Sequence, residues 1–335
     1  MTNPNGIRRM FNRLAGASLL LASTALTTPS AVGAGAATLE ALDSMEVPAE
    51  GANGMRIEEF SGLAWDEDEQ LLYAVSDGGV LHHFRVRIDG TRIAEIQPVF
   101  SVPIAATAAG VSGGSVANAE GLTALDDDNG KQSDTELLIA FEDGPAIVRF
   151  TPQGKQIGDI PLPGPLADGK QYSKKNSRLE AVAFDKRHGM LTAPERPLKG
   201  RPVDRHTLYA ADGTTWSFEA FQPDSRLKAI QKLPDGNFLV LERTREEKGG
   251  APTARLRFLD FAACSADREC HLAELSAVPE AMLVNNFEGL ARLSEDLFLM
   301  VTDKTKKDAE PTTFVLFRAT TASEPAADGR AMKSF

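Results

Sequence analysis

Glu288-Gly289-Leu290-Ala291-Arg292-Leu293, a short turn, and then Leu297-Phe298-Leu299-Met300-Val301-Thr302-Asp303 form a unit that the chain repeats. Apolar and small residues alternate on both sides of the turn, the period-two signature of a β-hairpin. Working back, Lys228-Ala229-Ile230-Gln231-Lys232-Leu233 leads through Pro234-Asp235-Gly236 to Phe238-Leu239-Val240-Leu241-Glu242. Before it, Glu180-Ala181-Val182-Ala183-Phe184 is followed by Met190-Leu191-Thr192-Ala193-Pro194-Glu195. Glu120-Gly121-Leu122-Thr123-Ala124-Leu125 precedes Leu137-Leu138-Ile139-Ala140-Phe141-Glu142. The first copy is Glu59-Phe60-Ser61-Gly62-Leu63-Ala64-Trp65 with Leu71-Leu72-Tyr73-Ala74-Val75-Ser76-Asp77.

The units start 61, 60, 48 and 60 residues apart. Strand-like pieces follow each hairpin, at 81–88, 146–151, 207–211, 254–261 and 313–318. Each repeat therefore holds about four short strands, the content of a propeller blade. The expectation is an all-β propeller of five or six four-stranded blades. Residues 38–47 supply an outer strand that closes the ring with the last blade.

The ends are of another kind. Arg8, Arg9 and Arg13 precede an apolar run from 14 to 26 and a small-residue site at Ala34-Gly35-Ala36. This reads as a signal peptide over 1–36, too short in its apolar part to span a bilayer. Arg8-Arg9-Met10-Phe11 also resembles a twin-arginine signal, and a Sec signal reads equally well. The expectation is an exported chain, periplasmic or extracellular, with one propeller domain over 37–318, a disordered tail over 319–335 and no transmembrane segment in the mature part. The formal net charge is −11, and the leader holds three arginines and no acid, so the remainder is more negative still. Such a surface argues against nucleic acid as a partner and is compatible with cations. Cys264 and Cys270, in an exported chain, are expected to form a local disulfide. A monomer is expected.

The first two strands of each unit form a hairpin, and acids stand at its open end. Glu59 and Asp77, Glu120 and Glu142, Glu180 and Glu195, and Glu288 and Asp303 lie equally far from their turns, with Lys228 and Glu242 in the fourth unit. A propeller brings these open ends to one face, so the expectation is a ring of carboxylates around one mouth of the channel, broken at Lys228. A basic segment from Lys170 to Arg205 contains ten Lys or Arg against four acids. Two weaker motifs compete. Gly110-Val111-Ser112-Gly113-Gly114 matches a nucleophile pattern but sits in a small-residue loop. Asp126-Asp127-Asp128-Asn129-Gly130 lacks EF-hand spacing and reads as an exposed turn.

Glu59-Phe60-Ser61-Gly62-Leu63, Val75-Ser76-Asp77-Gly78-Gly79, Glu120-Gly121-Leu122, Leu239-Val240-Leu241-Glu242-Arg243 and Asn286-Phe287-Glu288-Gly289-Leu290, in this order, resemble the phytase-like family of exported bacterial proteins, labelled "esterase-like activity of phytase". The chain departs from the pattern at Ala181, where glycine is expected, and at Val301-Thr302-Asp303-Lys304-Thr305. The resemblance implies a propeller and hydrolysis of phosphoesters or esters, with calcium held by carboxylates at the channel mouth as in propeller phytases.

Calcium takes oxygen ligands and relieves the repulsion of packed carboxylates. The candidate metal ligands are Glu59, Asp77, Glu120, Glu142, Glu180, Glu195, Glu288 and Asp303. Arg178, Arg196, Lys228 and Arg243 are the candidates for orienting a small anionic substrate, and Glu120, Glu288, Lys228 and Arg243 those for catalysis. The favoured function is calcium-assisted hydrolysis of phosphate esters. The alternatives are a non-catalytic propeller that binds a ligand or protein partner, and a metal-dependent carboxyl-esterase or lactonase.

Overall fold

The computed structural model describes residues 38–104, 118–245, 252–275, 284–304 and 311–320. The signal-peptide expectation over 1–36, the Gly110–Gly114 motif and residues 321–335 of the expected tail lie outside the described residues. Strand β1 (Thr38–Glu46) comes first. The first blade is β2 (Phe60–Asp66), β3 (Leu71–Ser76), β4 (Val80–Asp89) and β5 (Arg92–Pro103). The second is β6 (Ala119–Leu125), β7 (Glu136–Phe141), β8 (Ala146–Phe150) and β9 (Gln156–Ile160). The third is β10 (Leu179–Asp185), β11 (Gly189–Pro194), β12 (Arg205–Ala210) and β13 (Thr215–Glu219). Then follow β14 (Arg226–Lys232), β15 (Phe238–Arg245), β16 (Pro252–Leu259), β17 (Glu269–Cys270) and β18 (Leu272–Glu274), and finally β19 (Phe287–Arg292), β20 (Leu297–Thr302) and β21 (Thr313–Thr320).

These strands make five sheets arranged as a five-bladed β-propeller. Of the five or six blades expected, five are present among the described residues. The innermost strands β2, β6, β10, β14 and β19 neighbour one another in a closed ring. As anticipated for 38–47, β1 pairs antiparallel with β21, from Thr38 opposite Thr320 to Glu46 opposite Thr313. The fifth blade is thus built from both ends, in the order β19-β20-β21-β1.

The hydrophobic core is divided among the blade interfaces. One cluster packs Tyr73 and Val75 of the first blade on Leu137, Ile139 and Phe150 of the second. Others join the second blade to the third, the third to the fourth, the fourth to the fifth and the fifth to the first. The first two strands of each blade therefore bury both faces, which is why the hairpins read as near-continuous apolar runs.

One connection was not expected. β17 leaves the fourth blade and adds to the outer edge of the third as a parallel strand beside β13. The Cys264–Cys270 disulfide closes the loop that carries it, and Arg205 pairs with Glu269 across the junction. An exposed edge strand is thereby covered. Among the described residues, no helix is long and apolar enough to cross a membrane.

Candidate active site at the acidic mouth

All five inner strands carry a β-bulge near their start, at the register breaks Phe60/Gly62, Ala119/Leu122, Leu179/Ala181, Leu227/Ala229 and Phe287/Gly289. A bulge leaves a residue out of the ladder and re-aims its side chain. The residues so placed are Ser61, Glu120, Glu180, Lys228 and Glu288, and they form the inner tier of the mouth. All five are buried. A small residue follows each one because the strands nearly touch there. A Cβ added to Gly62 would lie 2.7 Å from the Glu120 carbonyl oxygen, and one added to Gly121 would lie 2.8 Å from the Val182 nitrogen. Below this level the channel narrows to a void of about 10 Å³ lined by Ser61, Gly121, Ala181 and Lys228 among others. That is about the room of one water molecule, so the mouth is a closed cup.

The ends of the second strands give the outer tier: Asp77, Glu142, Glu195, Arg243 and Asp303. Two expectations change here. Glu59 is half-buried outside β2, with its backbone N–H given to the Lys304 carbonyl at 2.7 Å. The first blade's inner-tier residue is Ser61, whose hydroxyl donates to Asp77. Glu242 pairs in register with Leu227, and its side chain is fully buried on Arg257 (2.7 Å) and His206 (3.3 Å). Arg243 takes the outer-tier place in the fourth blade. That blade thus contributes a base at both tiers.

Of the inner tier, Glu120, Glu180 and Glu288 converge, each offering a carboxylate oxygen within 4.8 Å of the others. Lys228 Nζ bonds Glu180 and lies 3.0 Å from Glu288 and 3.1 Å from Glu195. Arg243 pairs with Glu288 through Nη1 and with Glu195 through Nη2 at 3.3 Å. Most outer-tier acids have donors of their own. Glu142 accepts from the Arg178 backbone N–H at 2.9 Å and from Asn118, and Asp303 accepts from Asn286 at 2.7 Å. Glu195 also binds Arg226 at 3.1 Å. Glu120 differs: no described residue donates a hydrogen bond to its carboxylate. Arg178 reaches the Glu142 carbonyl at 3.2 Å, while Arg196 is held by Asp224 at 2.8 Å, apart from the cluster.

The model of the family described as "Esterase-like activity of phytase" matches residues 55–304. The chain belongs to the phytase-like family. No curated protein matches it. Among solved structures, the PQQ-bound aldose sugar dehydrogenase of Streptomyces coelicolor is similar at 12% identity and a TM-score of 0.46, covering 85% of this chain and 98% of that one. The Cps50 (Swd1) β-propeller domain of Myceliophteria thermophila is similar at 10% identity and a TM-score of 0.39, covering 78% and 84%.

In this phytase-like cup the charges are strongly perturbed. Burial, then the charges of Glu180 and Asp77, push the Glu120 carboxyl well above the usual carboxylate range. Burial likewise raises Glu180, against the pull of Lys228. Burial and Glu288 push Asp77 up to about 7, and Asp303 up to about 8. For Glu195 burial is outweighed by Lys228, Arg226, Ser177 and Arg243, which hold it down at about 2. Glu180, Glu288 and Glu195 outweigh burial at Lys228, so its ammonium is firmly charged. Three buried carboxylates with no nitrogen or sulfur among them, one lacking any described donor, form a donor set for a hard divalent cation. Calcium fits it.

The expected ring is thus split. Glu120, Glu180 and Glu288 gather, with Asp77 and Asp303 close enough to feel the Glu288 charge, while Glu142 and Glu195 are absorbed by donors and Glu59, outside the inner tier, adds its charge to the upward push on Asp77. Sequence reasoning overlooked Ser61 and the pairing of Arg243 with the ring. Aligning the repeats on the small residue after the bulge (Gly62, Gly121, Ala181, Ala229 and Gly289) would have found Ser61.

Proposed function

We propose that the chain is an exported hydrolase of phosphate esters, assisted by a hard divalent cation, calcium first, at this cup. The observation that carries the reading is the convergence of Glu120, Glu180 and Glu288, all buried, with no described residue donating to the Glu120 carboxylate. These three residues would hold the cation. When bound, it would supply charge stabilisation to the oxygens of the reacting phosphoryl group. Lys228 and Arg243 fix Glu180, Glu195 and Glu288 in place. The narrow void below the inner tier does not pass a substrate. Asp77 and Asp303, whose carboxyls burial and the Glu288 charge raise, would be the groups to exchange protons with attacking water and the leaving alcohol. Arg178 stands beside Glu142 at the rim, where an anionic group would approach.

A second reading is hydrolysis of carboxyl esters or lactones at the same cup. It is favoured by the commitment of Lys228 and Arg243 to carboxylates, which leaves the centre without a free anion clamp among the described residues. The Cys264–Cys270 disulfide supports an oxidising compartment, periplasmic or extracellular, and the acidic surface supports a monomer that does not bind nucleic acid. The test uses chelator-stripped protein, with phosphate release from a panel of phosphate monoesters followed in parallel with hydrolysis of p-nitrophenyl acetate and simple lactones. Calcium-dependent phosphate release, lost in Glu120→Gln and Glu288→Gln, is the expected result. Activity on the neutral esters alone favours the second reading. No calcium binding and no turnover of either class refutes both.

A further inference from the structure

The cup already holds a cation of its own. Lys228 enters at the bulge position that gives Glu120, Glu180 and Glu288 in three of the other four blades and Ser61 in the first, so a single bulged strand decides whether a carboxylate or an ammonium projects there. Its Nζ sits among three carboxylates from three elements. Glu180 is on β10, Glu195 follows β11 at 3.1 Å and Glu288 is on β19 at 3.0 Å. Lys228 and those three acids are all buried. An ammonium so desolvated persists only where carboxylates surround it, which is also what a bound metal ion requires. Arg243 repeats the arrangement one tier out, between Glu195 and Glu288. Glu120 is the inner-tier acid to which neither base makes an ion pair.

We propose that Lys228 is a tethered counter-cation occupying one of two cation positions in the carboxylate cup, so that it limits the cup to one divalent ion, placed toward Glu120. The proposal deepens the cation-assisted reading and rests on it for the second position. Lys228 thereby sets the number of ions and the affinity of the site. It is a specificity-determining residue rather than a group that touches substrate. Removing the ammonium while keeping its stem frees the position between Glu180, Glu195 and Glu288 for a second ion.

The experiment is calorimetric titration of chelator-stripped full-length protein with calcium chloride, with melting temperatures in chelator and in calcium, for wild type, Lys228→Arg and Lys228→Met. Wild type and Lys228→Arg should bind one calcium. Lys228→Met should bind two, or one with affinity raised about a hundredfold, which is about 2.7 kcal/mol. It should also melt lower than wild type in chelator and recover in calcium. One calcium in both wild type and Lys228→Met, with equal affinity, overturns the counter-cation role and leaves the cation-assisted reading standing. No calcium in wild type but one in Lys228→Met sustains the counter-cation role and overturns the cation-assisted reading. No binding in either overturns both. If Lys228→Met does not fold even in calcium, the charge-balanced double variant Glu195→Gln/Lys228→Met is titrated instead. One ion supports the charge argument, and two ions refute it.

Discussion

Replacing Glu120 by glutamine should stabilise the chelator-stripped protein and destabilise the calcium-loaded one. Glu120 is buried, and its oxygen lies within 4.8 Å of those of Glu180 and Glu288. At an effective dielectric constant of about 20, a like-charge pair at that distance costs about 3.5 kcal/mol. The stripped cup escapes this cost by taking up protons, and burial together with Glu180 holds the Glu120 carboxyl well above 4.5. A carboxyl raised in the folded state contributes its full stability below its unfolded value and loses it as pH rises toward the folded value. The loss is about 1.4 kcal/mol per pH unit between the unfolded and folded values. Glutamine carries none of it, so Glu120→Gln in chelator should melt above wild type at pH 7, by a few degrees per kcal/mol relieved, and level with it near pH 4.5. In calcium the order reverses, because a ligand is gone. Melting curves from pH 4.5 to 8, with and without calcium, read both effects. A variant that melts at or below wild type in chelator, with a gap that does not widen with pH, would refute the electrostatic account of the cup.

Three further outcomes are expected. Gly121→Ala forces the β6 and β10 backbones apart and should cost about 1 to 3 kcal/mol, read as a lower urea midpoint; an unchanged midpoint contradicts the close approach. Burial, then His83, lowers His82 to about 4. Its contribution is complete above its unfolded value of 6.5 and is lost as pH falls toward 4, about 3 kcal/mol in all, so His82→Gln should shift the acid-unfolding midpoint to lower pH. Reducing Cys264–Cys270 should cost about 2 kcal/mol by loop entropy and raise amide exchange in β13 and β17, while equal exchange before and after reduction would show that the loop holds its edge unaided.

The repeats were legible because every blade buries its hairpin on both faces, and 38–47 was legible as a candidate for the outer strand of the last blade. The ring was legible only in part. Counting from the first acid put Glu59 and Glu242 in it, but backbone clearance sets the register, and clearance is signalled by Gly62 and Ala229. The bulges that turn Ser61 and Lys228 inward change the count of residues without changing their polarity, so no alternation of apolar and polar residues reveals them. The capture of Lys228 and Arg243 by carboxylates was also hidden, since a charge in the sequence does not say which neighbouring blade will meet it. The crossing of β17 onto the third blade rests on a two-residue strand, below the length at which a pattern can form.

The pairing of β1 with β21 joins residues 282 apart in the chain, and the hydroxyls of Thr38 and Thr320 meet at 2.6 Å. This is the contact with the largest loop to close, and it becomes short-range only after the intervening blades have formed. It is therefore a latch made late in folding rather than a nucleus, and opening should begin there. Because the two described ends lie side by side, a short linker from 320 to 38 with a new break in the exposed 199–201 turn gives a circular permutant in which the seam moves to the third blade. The cup, built from the starts of five inner strands, would be untouched by the move.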